Sequence, residues 1–180
     1  MIDQAVEELK YEEFKEVFKT LPKSEERTEP TLDTYFEIGI PETYMPEQSD
    51  RLNFYTSLYS VKSLDELNDL NDEMTDRFGT IPTVVNRLLL PATLRNYASY
   101  ALFERVIIQR ENVIIILPKS EKEDYYKYQF VELMRFILQE YKNQIILEQK
   151  KDTMKLVVKN KFESPEKSLK FLIEFLQMNL

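Results

Sequence analysis

Apolar positions mark out a succession of short elements. Ile2, Val6, Leu9, Phe14, Val17 and Phe18 recur at helical spacing, so residues 2–18 are expected to form a charged amphipathic helix. Residues 20–31 are polar, contain two prolines and read as a linker. Leu32 to Ile40 is rich in strand-forming residues and stops at Gly39-Ile40-Pro41, which predicts one strand. Pro41 and Pro46 then bracket an extended turn, followed by a helix over about Glu47 to Val61 whose expected inward face is Leu52, Tyr55, Leu58 and Tyr59. Ser63-Leu64-Asp65-Glu66 has the form of a capping box, with Leu64, Leu67, Leu70 and Met74 as the buried face of the helix it opens. Gly79 stands where a left-handed residue would close that helix. Pro82 suits the first turn of the next one. That helix would bury Val84, Val85, Leu88, Leu89, Leu94, Ala98, Ala101 and Leu102, with a kink or break at Pro91.

The last third changes period. Arg105–Gln109 and Asn112–Leu117 read as a first hairpin, Glu121–Tyr141 as a helix, and Gln144–Glu148 with Thr153–Lys159 as a second hairpin. Ser164 caps a final helix that begins at Pro165 and turns Leu169, Leu172, Ile173 and Leu176 inward. The expected fold is α+β: N-terminal helices, then a small and mostly antiparallel sheet of two hairpins with helices packed on one face. Residues 1–31 form a leading helix and linker. Residues 32–180 form the domain, mainly helical over 32–104 and hairpin-helix-hairpin-helix over 105–180.

Composition narrows the chemistry more than it suggests any. With 43% hydrophobic residues, 11 Phe and 11 Tyr, the chain can bury a core and does not resemble a disordered segment. No apolar run approaches the length of a membrane span, and the absence of cysteine fits a reducing compartment, so a cytoplasmic protein without a membrane partner is expected. There is no histidine, and the only two glycines are Gly39 and Gly79. Without histidine the commonest general base and zinc ligand is missing. Without clustered glycines no phosphate-cradling loop of the P-loop type can be built. Neither catalysis nor a cofactor is expected of this chain.

Charge supplies the one local feature that stands out. The net charge is −8, and the acidic excess lies in the first two thirds while residues 119–180 are nearly balanced. Direct nucleic-acid binding is therefore not expected, because that needs basic stripes. Asp65, Asp69, Asp72 and Asp76 recur at helical spacing on the Ser63-capped helix, joined by Glu66 and Glu73, with no Lys or Arg between Asp65 and Asp76. Like charges at such spacing cost a helix a few tenths of a kcal/mol per pair. Asp72, Glu73 and Asp76 also face the unfavourable end of the helix dipole. A solvated acidic face is one reading of this. A docking surface for a basic partner, formed by Asp65, Asp69, Asp72, Glu73 and Asp76, is another. A metal-assisted hydrolase built on the same carboxylates is the alternative from a different class.

Five short motifs then occur in order: Ile40-Pro41-Glu42-Thr43-Tyr44-Met45-Pro46, Arg51-Leu52-Asn53-Phe54-Tyr55, Lys62-Ser63-Leu64-Asp65-Glu66-Leu67, Asp76-Arg77-Phe78-Gly79 and Ile81-Pro82. This succession resembles the C-terminal domain of bacterial transcription-repair coupling factors, over about residues 32–107. The sequence departs from the family pattern at Tyr11 and Pro91. The resemblance implies that residues 1–31 continue from a motor module, an ATP-dependent double-stranded-DNA translocase that displaces stalled RNA polymerase. It further implies that the domain itself is not catalytic. Its partner would be an N-terminal UvrB-like module of the same protein, which it masks until the excision-repair damage sensor UvrA is to be recruited. Glu73 and Asp76 would then face basic residues of that module.

Overall fold

The computed structural model describes residues 28–61, 63–159 and 161–179. The expected helix over 2–18 and most of the linker after it lie outside these. The described elements run β1 (Thr31–Thr34), α1 (Gln48–Ser60), α2 (Leu64–Phe78), α3 (Thr83–Tyr100), β2 (Arg105–Ile108), β3 (Val113–Ile116), α4 (Glu123–Lys127), α5 (Gln129–Glu140), β4 (Ile145–Lys150), β5 (Thr153–Val158) and α6 (Pro165–Asn179). The fold is α+β, as the periodicity predicts.

The two hairpins lie side by side in one five-stranded sheet of order β1-β2-β3-β5-β4. β2–β3, β3–β5 and β5–β4 pair antiparallel, while β1 pairs parallel with β2 in the register Leu32 to Val106. The strand expected over Leu32 to Ile40 is thus confined to Thr31–Thr34. Alternation along β2 and β3 buries Val106, Ile108, Val113 and Ile115 on one face, and Leu156 and Val158 of β5 continue it. Leu94 and Ala98 of α3, Leu133 and Ile137 of α5 and Leu169, Leu172, Phe175 and Leu176 of α6 close over that face as the main core.

A second core sits among α1, α2, the N-terminal half of α3 and the segment before α1. It contains Ile40, Met45, Phe54, Leu58, Leu67, Leu70, Met74, Val85, Leu88 and Leu89. α3 belongs to both cores and so joins the halves. At its C-terminus Leu102 takes a left-handed conformation, with φ of 58°, and the Phe103 N–H returns to the Ala98 carbonyl at 3.0 Å. The chain reverses there into β2.

Four local expectations need correction. α1 buries Phe54 and Leu58, whereas Leu52, Tyr55 and Tyr59 are exposed. Leu52 and Tyr59 lie on the far side of the helix from Phe54, and helical spacing alone does not say which of two apolar faces is covered. Pro91 neither breaks nor interrupts α3, which runs through it from Thr83 to Tyr100 with Pro91 buried. Flanking burial in both cores holds the helix despite the lost amide hydrogen bond. Val84, on the same helix, is exposed rather than inward. The single helix expected over Glu121–Tyr141 is two, separated at Tyr128, whose φ of −120° and ψ of −74° leave the helical range. Around that break Tyr125 is buried while Tyr126 donates its hydroxyl to the Pro118 carbonyl. Burial holds both phenols above their ordinary titration range.

Candidate docking face on α2

α2 owes its definition to its two ends. The Ser63 hydroxyl accepts the Glu66 N–H at 3.2 Å, which satisfies one of the amides left free at a helix start. Gly79 closes the helix with φ of 82° and ψ of −162°, a region that only glycine enters readily. A β-carbon there would touch nothing within 4 Å, so the requirement for glycine is conformational and not one of space.

The motif residues far apart in sequence meet around the C-terminal turn of α2. Phe78 packs against Phe54 with ring centroids 5.8 Å apart and against Tyr44 at 6.0 Å. The Tyr44 hydroxyl lies 3.2 Å from the Met74 carbonyl and 3.1 Å from that of Gly79, where helix carbonyls run out of partners. Burial raises the Tyr44 pKa. Arg51 donates to the carbonyls of Met45 and Pro46, both at 2.7 Å, and to Glu42 at 3.1 Å. The two-proline segment is thereby tied to the start of α1, and Met45 is completely buried under it. Arg77 bridges the helices, donating to Glu73 and to Asp50 of α1 at 2.8 Å each. Its guanidinium also lies 4.9 Å from the Phe78 ring centroid and 5.4 Å from that of Phe54. The hydrogen bonds to Glu73 and then Asp50 hold the Arg77 pKa above its ordinary value.

The acids ride on this braced helix. Asp65, Asp69, Asp72, Glu73 and Asp76 are all exposed. Their spacing sets Asp65, Asp69, Asp72 and Asp76 on the outward face of the helix, with Glu66 and Glu73 beside them on the groove side and the uncharged Asn68, Asn71 and Thr75 on the other side. Glu73 is paired within the fold, through Arg77. Among the described residues Asp65, Asp69, Asp72 and Asp76 form no ion pair. Glu66, Asp69, Leu70 and Glu73 also line one wall of an open groove of about 390 Å³, faced across it by Ser57, Ser60 and Val61.

The carboxylates do not converge. Among the described residues no group of three or more acidic side chains is placed to hold a metal ion. A row along one helix surface extends over about 1.5 Å per residue, which spreads the charge instead of focusing it. The alternative of metal-assisted hydrolysis therefore finds no geometric support. Sequence reading passed over Phe54, Asp50 and Arg77 as parts of this face. The signal for Arg77 was present: it is the first cation after an uninterrupted acidic run, one turn from Glu73.

Comparison with known proteins agrees with this arrangement. Residues 34–128, more than half of the chain and including all of α1, α2 and α3, match the family model described as TRCF domain. The transcription-repair-coupling factor of Bacillus subtilis (strain 168) is 32% identical over 123 residues, which is 68% of this chain and 9% of that protein. That of Escherichia coli (strain K12) is 37% identical over 59 residues, 33% of this chain and 5% of that protein. The chain thus corresponds to a small part of the length of the curated relatives it matches. A crystal structure of the C-terminal domain of transcription-repair coupling factor superposes with a TM-score of 0.72 at 20% identity, covering 86% of this chain and 95% of that one. No described helix is long and apolar enough to cross a membrane. The motifs that brace α2, the match over residues 34–128 and the shared fold together establish that the chain belongs to the TRCF domain family, the C-terminal domain of transcription-repair coupling factors.

Proposed function

We propose that this domain is a non-catalytic regulatory module of a coupling factor, and that the acidic flank of α2 docks on a basic surface of an N-terminal UvrB-like module of the same protein. Docked there, it masks the surface that recruits the damage sensor UvrA. The remainder of such a protein, an ATP-driven DNA translocase acting on stalled RNA polymerase, supplies the catalysis.

One observation carries the reading. Four carboxylates, Asp65, Asp69, Asp72 and Asp76, stand exposed and without ion-pair partners among the described residues, on a helix fixed at both ends. Asp65 gains from the helix N-terminus, but the repulsion along the row is offset by no ion pair among the described residues. A basic partner would relieve it, and opposed charge would steer association and set orientation. The domain immobilised on a resin should retain the separately produced UvrB-like module at low salt and release it at high salt, because exposed pairs are screened. Equal retention at both salt levels, or none at either, would refute an electrostatic docking face.

A further inference from the structure

α1 carries apolar side chains on both of its faces. Phe54 and Leu58 enter the second core and explain one of them. On the other, Leu52, Tyr55 and Tyr59 follow at steps of three and four residues and so form one row. Leu52 is 58% exposed and Tyr59 77%. A lone exposed leucine is ordinary on a protein surface, whereas a contiguous apolar row marks an interaction site.

The two tyrosines of the row are held in place before anything binds. The Tyr55 hydroxyl accepts the Ile40 N–H at 2.7 Å. The Arg95 guanidinium lies 5.3 Å from the Tyr59 ring centroid and donates to the Tyr59 carbonyl at 3.0 Å. Side chains already ordered lose little freedom on association. Around α1 the small polar Thr56 and Asn53 lie between the row and the Ser57 and Ser60 wall of the groove, whose opposite wall is acidic.

We propose that Leu52, Tyr55 and Tyr59 are the apolar half of a docking surface whose charged half is the acidic flank of α2. The occupant is a helix of the partner module that sets aliphatic side chains beside Lys and Arg. This rests on the reading of α2 as a docking face and adds the contact that holds the partner once charge has brought it in. Charge selects the occupant. An acidic helix is repelled, and a second copy of this chain would set its own α2 acids against these.

The test uses the 180-residue chain and, as probe, the isolated N-terminal module of the Bacillus subtilis coupling factor, titrated by calorimetry. The variant Leu52→Ser with Tyr59→Ser should bind about tenfold more weakly, through faster dissociation, with its salt dependence kept. The variant Glu73→Lys with Asp76→Lys should bind more weakly and lose salt dependence. Circular dichroism confirms folding, and Tyr59→Ser alone should give a smaller loss of the same kind. If the α1 variants bind within about twofold of the parent, the apolar half is refuted, and a salt-sensitive effect of the α2 variant then leaves the acidic reading standing. No binding by the unsubstituted chain overturns both. A chain that sediments as a dimer, dissociated by the α1 substitutions, gives the row to a second copy and overturns the proposal.

Discussion

Single residues fix the orientation of the acidic face. Gly79 is in a backbone region costly for any side chain, so Gly79→Ala should lower unfolding stability by about 1–3 kcal/mol in urea titrations, although a methyl group there meets no atom. Ser63→Ala removes the cap from the other end of α2 and should cost about 1 kcal/mol by the same measurement. Both residues were legible in the sequence because their roles are local, set by backbone conformation and by an amide three residues away. The inward face of α1 was not legible. Leu52, Tyr55 and Tyr59 satisfy helical spacing as well as Phe54 and Leu58 do, and only the position of α2 and α3 decides which side is covered. Asp50 and Arg77 pair across 27 residues, a distance over which sequence spacing carries no information.

Elements were read well where their periodicity is strong and poorly where tertiary contacts override a local rule. α2, the two hairpins and α6 lie within a few residues of their expected bounds. β1 was expected as a strand, but its parallel pairing with β2 depends on residues more than seventy positions away. α3 passes through Pro91 because its two halves are embedded in different cores. One ion pair ties α3 to α6: Arg87 donates to the Glu166 carboxylate. That hydrogen bond, with one from its own backbone N–H next, holds the Glu166 pKa below its ordinary value of 4.5. A carboxylate depressed in the folded state contributes stability above its unfolded pKa and loses that contribution as pH falls through the folded one. Glu166→Gln should therefore be less stable than the parent at neutral pH. The two thermal-melting curves should converge as acid is added below 4.5.

At the scale of the whole molecule the two cores divide the work. The sheet with α5 and α6 forms the larger and more deeply buried one, and the α1–α2 layer that carries the acids packs on its smaller neighbour. Leu156 is completely buried in the larger core, so Leu156→Ala should cost about 2–5 kcal/mol in chemical denaturation. Amide protons of α1 and α2 should exchange with deuterium before those of β3 and β5, because the smaller core opens at lower free energy. Such a division would suit the proposed docking role, with a stable base presenting a face that can be released. On the proposed reading, this face withholds recruitment of the damage sensor. The most direct measurement of this is the affinity of a complete coupling factor for UvrA, with and without lysine at the positions of Glu73 and Asp76 in its C-terminal domain. Tighter binding by the lysine variant, with the domain still folded, is the predicted result. Unchanged affinity would show that the acidic face of α2 does not mask the UvrA-recruiting surface.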